Sequence, residues 1–234
     1  MSTDQSDLTS RILFEDNHLL VLNKLPSEIV QGDKTGDQPL VETAKEYIAT
    51  EYQKPGNVFL GVVHRIDRPT SGLVIFARTS KALARMNEML KTRDVSKKYW
   101  AVVKNIPPET DGKLIHFLRK NEKQNKSYVV NAEAPGAKKA EMIYKVLMQG
   151  DHYTLVEVEL LTGRHHQIRA QFAAIGCPIK GDLKYGADRS NADGSIHLHA
   201  RELKFIHPVK KEWIHLIAPV PDETLWQFFE QRMQ

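Results

Sequence analysis

The stretch Val63–Leu73 is dense in side chains that can do chemistry: His64, Arg65, Asp67, Arg68, Thr70 and Ser71 stand together, with Gly72 opening the apolar run that follows. Polar groups packed at the edge of a buried strand are costly unless they bond one another or a ligand. Asp67 lies between two arginines, which suits an ionised carboxylate acting on a substrate and equally suits an ion pair bracing a loop. A second dense stretch, Leu160–Arg169, sets Arg164, His165, His166, Gln167 and Arg169 at the start of a predicted helix. Helix N-termini and guanidinium groups both attract anions. Adjacent histidines on a helix diverge by about 100° and do not readily share a metal. His197 and His199 share a strand face and are better placed, but no carboxylate–histidine motif accompanies them, so no metal site is expected. The chain has no G-x-G-x-x-G after a strand, no G-x-x-x-x-G-K-[ST], no H-E-x-x-H and no G-x-S-x-G. Nucleotide-phosphate cradling, metalloprotease and serine-hydrolase chemistry lose their support accordingly.

Several elements must position these groups. Arg11–Phe14 and Leu19–Asn23 flank Glu15-Asp16-Asn17 and predict a hairpin. Ser27–Pro39 reads as a loop, and Leu40–Tyr52 has helical spacing at Val41, Ala44, Ile48 and Tyr52. Gly72–Ala77 predicts a buried strand. Thr79-Ser80 then caps a helix with Leu83, Met86, Met89 and Leu90 on one face. Lys98–Val103 predicts a strand, and Pro107-Pro108 and Asp111-Gly112 punctuate a loop. Tyr153–Leu160 alternates as a strand, and Thr162-Gly163 opens a helix closed by Gly176 and Pro178. Ile196–Phe205 and Trp213–Ala218 predict two more strands, and a last helix runs from Asp222 with Leu225, Phe228, Phe229 and Met233. This pattern predicts an α+β fold, a largely antiparallel mixed sheet flanked by helices. No linker separates independent parts. A flexible tail over 1–10 and one domain over 11–234 are therefore expected.

Of 234 residues, 41% are hydrophobic and 26% charged, enough to bury a core. No apolar run approaches the ~18 residues of a membrane span, and Met1–Ser10 lacks an apolar signal core. The single cysteine, Cys177, excludes an internal disulfide, and a reducing, cytoplasmic setting is expected. The net charge is +4, but Arg78–Lys104 carries eight bases against two acids. Such a concentration suits a phosphate backbone, or simply a solvated face.

His64-Arg-Ile-Asp-Arg-Pro-Thr-Ser-Gly-Leu73 closely resembles the catalytic signature of the RluA-type pseudouridine synthase family, approximately H-R-L-D-x-x-T-S-G-L. The resemblance continues in register. It takes in Ile12–Lys24 as the first hairpin, Lys98-Tyr99, Leu161–Arg169, Gly176–Asp182 with Tyr185-Gly186, Leu198-His-Ala200, and Phe205–Pro208. Together the matches run over roughly residues 11–219. Two departures stand out: Lys24-Leu-Pro-Ser replaces the usual K-P-x-G, and His165 stands where Thr or Ser is usual. The family's frequent N-terminal S4-type RNA-binding domain is expected to be missing, which leaves RNA recognition mainly to the catalytic domain.

The resemblance implies the pseudouridine synthase catalytic fold and isomerisation of uridine to pseudouridine in structured RNA. The N1–C1′ bond breaks, the uracil turns, and C5 bonds to C1′. Asp67 is by position the indispensable carboxylate; attack on the sugar, addition to the base and removal of a sugar proton all remain open as its role. The target base must be flipped out of its stack. By resemblance Arg65 fills the vacated space, Tyr99 stacks on the uracil and moves a proton, Arg169 pairs with Asp67, and Ile168 and Leu198 wall the pocket. Arg164 is expected to bind phosphate, with His64, Arg68, Lys98 and Gln167 also placed in substrate binding. No cofactor or metal is demanded, since no electron moves and no group leaves. The partner is RNA, either large-subunit ribosomal RNA or a tRNA stem-loop. No membrane and no obligatory protein partner are inferred, and a monomer is expected. The main rival is a non-catalytic RNA-binding or remodelling protein on the same fold, which an altered Asp67 or Tyr99 would have favoured. A glycoside hydrolase would want a second carboxylate about 5–9 Å away, and no motif supplies one.

Overall fold

The computed structural model describes residues 8–233. The expected tail over 1–10 lies mostly outside these; residues 8–10 are helical, and Leu8 is fully buried in an apolar cluster. The fold is α+β with largely antiparallel strands, as the spacing predicts. The chain divides into two compact units: one runs to Ser96 and takes in Ala200–Pro221, and the other holds Lys97–His199 and the residues from Asp222. Two of the crossings fall inside strands, which is why no linker marks the division in the sequence.

In the first unit, β1 (Ile12–Glu15) and β2 (Leu19–Lys24) form the predicted hairpin. Asp16 makes the turn: its Oδ1 accepts the backbone N–H groups of His18 at 2.7 Å and Leu19 at 2.9 Å. β2 pairs antiparallel with β4 (Ser71–Ala77), from Leu19 opposite Ala77 to Lys24 opposite Gly72. Every residue of β4 is buried, so its continuous apolar run needs cover on both faces. Leu20, Leu22, Val74 and Phe76 pack with Leu40, Val41, Ala44, Tyr47 and Ile48 of helix α1 (Leu40–Glu51). Leu19, Val21, Leu73 and Ile75 face the other way, with Ala82 and Met86 of helix α2 (Ser80–Thr92). Thr79 caps α2 as predicted, its hydroxyl accepting the N–H of Ala82 at 3.1 Å. Short β3 (Gly61–Val62) also pairs with β4, and β10 (Leu198–Ile206) pairs antiparallel with β11 (Trp213–Ile217).

The second unit runs β5-β9-β8-β6-β7, antiparallel throughout. The ranges are β5 Val95–Lys104, β6 Asp111–Asn121, β7 Lys126–Val130, β8 Lys138–Gln149 and β9 Tyr153–Leu160. Asp111-Gly112, read as loop punctuation, instead opens β6. β6 and β8 bury little beyond Leu118, Ala140, Met142 and Tyr144, so charged residues fill their exposed positions and hide the alternation. Helix α3 covers Gln167–Ala174, starting later than Thr162-Gly163 because His166 takes a left-handed conformation with φ 52°. Helix α4 spans Thr224–Gln231, where the Glu223 carboxylate accepts the N–H groups of Leu225 and Trp226. Trp226 is buried there, a contribution to the core outside the predicted apolar face.

Gly72 is the tightest point of the first unit. Its φ is +110°, and a Cβ there would sit 2.4 Å from the carbonyl oxygen of Ala200. Gly72→Ala combines overpacking with a forbidden backbone angle and is expected to cost about 3 kcal/mol or more. Gly32, which has nothing within 4 Å of its would-be Cβ, should tolerate Ala within about 0.5 kcal/mol. Denaturation midpoints of the two variants check this.

Candidate active site

The Asp67 stretch leaves β3, passes through exposed Arg65 and Arg68, and enters buried β4. Two backbone anchors shape it. The N–H of Thr70 donates to the Asp67 carbonyl at 3.0 Å, closing a tight turn, and the N–H of Ser27 donates to the Arg68 carbonyl at 2.9 Å. The third anchor is ionic. Lys24 is fully buried, and its ammonium donates to the carbonyls of Leu25 at 2.7 Å, Glu28 at 2.9 Å and Arg68 at 3.0 Å. Its three N–H groups are thus matched by three acceptors. Burial pulls the Lys24 pKa down to about 7, against the opposing pull of the Glu28 and Asp67 carboxylates. Lys24 was legible as a motif residue; its role as the clasp of this loop was not.

His64 is tied to β4, its Nε2 accepting the N–H of Ile75 at 3.3 Å. Asp67 is half-buried on the loop. Arg68 forms an exposed ion pair with Asp37 at 2.6 Å. Thr70 is buried, and its hydroxyl has no hydrogen-bond partner among the described residues. An orphaned hydroxyl in such a motif calls for explanation, and a ligand group is one physical reason for it.

In the second unit, Tyr99 is buried on β5 opposite Val158, and Lys98 beside it pairs with Glu157 at 3.0 Å. Ile168 and Leu198 are both buried. Arg169, only 5% exposed in its side chain, is gripped by Asp182, itself 1% exposed. Nε donates to Oδ2 at 2.6 Å and Nη2 to Oδ1 at 2.8 Å, a bidentate fork. The Tyr185 ring lies 5.1 Å from the guanidinium carbon. The Tyr185 hydroxyl accepts the N–H of Ser127 at 2.8 Å and lies 3.0 Å from His166 Nδ1, to which it can donate. Burial, with the positive charge of Arg169 behind it, holds the His166 pKa down to about 2, so this ring is neutral and supplies no cationic acid. Asp182 closes the Gly176–Asp182 motif, and it is the buried acid that a buried arginine requires.

The remaining polar residues of Leu161–Arg169 are committed to the local fold. Gln167 accepts from the Thr162 hydroxyl at 2.7 Å and the Arg164 N–H at 3.0 Å, and donates to the Glu141 carbonyl at 3.0 Å. Its amide braces the turn that delays α3. Arg164 is exposed, with Nε donating to the Lys139 carbonyl at 2.9 Å. His165, the departure noted above, stacks on His166 at 3.7 Å and touches Ser127 and Asn125 through its two ring nitrogens. His197 stacks on Trp226 at 5.2 Å and hydrogen-bonds Asn191 and Glu223, so both of its nitrogens are used. That bond to His197 is the main cause holding the Glu223 carboxyl down to about 2. No group of three or more His, Cys, Asp or Glu suited to a metal occurs among the described residues.

With this geometry in hand, comparison with known proteins places the chain. Residues 18–174 match the family model described as RNA pseudouridylate synthase. A ribosomal large subunit pseudouridine synthase C of Buchnera aphidicola is 32% identical over 222 residues, covering 92% of this chain and 68% of the relative. That of Vibrio parahaemolyticus is 33% identical over 221 residues, covering 92% and 67%. Among solved structures, human RNA pseudouridylate synthase domain containing 4 shares the fold with a TM-score of 0.81 at 24% identity, covering 97% of this chain and 95% of that one. The chain belongs to the RNA pseudouridylate synthase family, enzymes that act on RNA. No helix among the described residues is long and apolar enough to cross a membrane.

Lys24→Met would leave its carbonyls without their cation. It is expected to destabilise the first unit by about 3 kcal/mol, read as a lower denaturation midpoint. Asp182→Ala removes the fork from a buried guanidinium and should cost about 3–5 kcal/mol. Asp182→Glu, which keeps the charge, should recover part of that loss in the same measurement.

Proposed function

We propose that this chain is an RNA pseudouridine synthase that isomerises uridine to pseudouridine in structured RNA, with large-subunit ribosomal RNA as its substrate. The observation that carries this reading is the intact His64–Leu73 stretch within the matched segment 18–174. The choice of ribosomal RNA leans on the printed names of the relatives; tRNA is the other substrate class.

In this reading the target base leaves its stack, at a cost of a few kcal/mol, and Arg65 takes its place. Arg65 is exposed on the loop, and its planar guanidinium can stack and donate hydrogen bonds together. Asp67 is the essential carboxylate of the isomerisation. The N1–C1′ bond breaks, the uracil turns, C5 bonds to C1′, the hydrogen on C5 is released as a proton, and N1 takes up a proton in its place. Tyr99 stacks on the uracil, and its hydroxyl moves that late proton. Arg169 is a fixed cation of the site, its fork set in place by Asp182. Ile168 and Leu198 form apolar walls that keep the base in the pocket. Atoms and electrons balance without a cofactor or a metal.

Pseudouridine mapping of total RNA from cells lacking the gene, complemented with wild type or Asp67→Asn, tests the reading. A uridine in large-subunit ribosomal RNA should be modified only with wild type, and Asp67→Asn should lower modification at least about a thousandfold, as removal of an essential nucleophile or base does. A site restored by Asp67→Asn would remove the carboxylate from the mechanism. A lost site in tRNA alone would move the substrate to that class.

A further inference from the structure

The first unit carries a concave site whose lining is remote along the chain from the Asp67 stretch. It is lined by Met89 of α2, Arg93, Lys204 and Ile206 of β10, Lys211, and Trp213 of β11, and it holds about 580 Å³. Trp213 is 65% exposed, an unusual position for so large an apolar ring. The Lys204 ammonium lies 5.3 Å from the ring centroid, placed there because Ile206 is the cross-strand partner of Trp213 and Lys204 is diagonal to it.

Charge decides what such a pocket takes. Arg93, Lys204 and Lys211 have no carboxylate within ion-pair distance among the described residues, whereas neighbouring Lys91 and Lys210 are paired with Glu88 and Asp16. The one acid in the lining, Asp94, accepts a hydrogen bond from the Thr92 hydroxyl. The turn that presents Lys211 is rigid: His207 Nδ1 accepts the N–H groups of Val209 at 3.2 Å and Lys210 at 2.9 Å. An open aromatic face with three cations against one carboxylate matches a nucleotide better than an apolar peptide. The ring offers a π-face to any base, and the cations meet its phosphates.

We propose that this pocket is an auxiliary RNA-binding subsite in which an unpaired base stacks on Trp213 while Arg93, Lys204 and Lys211 hold the flanking phosphates. The proposal rests on the reading of RNA as substrate and deepens it, giving the enzyme a grip outside its catalytic motifs.

Trp100 and Trp226 are 8% and 2% exposed, so fluorescence quenching by a solute-bound ring reports mainly on Trp213. Titrating the whole protein with a short single-stranded oligouridylate should quench that fluorescence. Binding of labelled oligonucleotide should weaken about tenfold in Trp213→Ala and stay within about twofold in Trp213→Phe, which keeps a stacking face. Lys204→Ala with Lys211→Ala should lower the slope of log affinity against log salt by about one unit or more. On ribosomal RNA transcripts, Trp213→Ala should raise KM with kcat unchanged. No quenching, or equal affinities in wild type and Trp213→Ala, would overturn the proposal. So would a loss confined to kcat. Quenching by RNA in a protein that forms no pseudouridine would instead uphold the subsite and sink the catalytic reading, so the two fail separately.

Discussion

A lysine ammonium with no exposed surface has to spend all of its N–H groups inside the protein, and Lys24 spends them on the carbonyls of Leu25, Glu28 and Arg68. That requirement locks the segment after β2 to the turn that carries Asp67. It is needed because the chain passes from exposed Arg68 to wholly buried β4 within three residues. Gly72 admits the close approach of the Ala200 backbone just inside the strand. Asp67, the carboxylate we propose as essential, therefore stands on a loop whose backbone is fixed from both sides, which is the condition a catalytic group needs.

The second unit solves a related problem with opposite charges. Arg169 and Asp182 are both buried, and their fork satisfies each at a desolvation cost that an apolar pair would not incur. The neighbours follow from the same centre. Tyr185 lies over the guanidinium and bonds His166, and that buried ring stays neutral. Arg169 thus keeps its positive charge across the physiological pH range, since a guanidinium does not titrate near neutrality.

The sequence was most legible where one residue type had one physical use. The alternating run of β9, the apolar run of β4, the Thr79 cap and the Asp16 turn all appear where their spacing puts them. The candidate residues were named from motifs that stand in order along the chain, from Ile12–Lys24 to Phe205–Pro208. What escaped were features whose cause lies far along the chain. β6 showed only the punctuation at Asp111-Gly112 and β8 gave no strand signal, because neither strand buries more than three of its residues. The late start of α3 depends on Gln167 gripping Thr162 and Glu141. The partners of Lys24 and Arg169 are set by tertiary packing, which no local pattern reports. The division into two units was invisible because the chain crosses within β5 and β10 rather than through a flexible linker.

The central claim is that Asp67 drives exchange of a carbon–nitrogen for a carbon–carbon bond in RNA. Forming the new bond at C5 expels the hydrogen that C5 carried. The most direct test is therefore release of tritium to water from large-subunit ribosomal RNA labelled at uracil C5, using purified wild type and Asp67→Asn, with RNA binding measured in parallel. The account predicts release by wild type and none by Asp67→Asn at undiminished binding. Release at the wild-type rate from Asp67→Asn, or no release by wild type from either ribosomal RNA or tRNA, would contradict it.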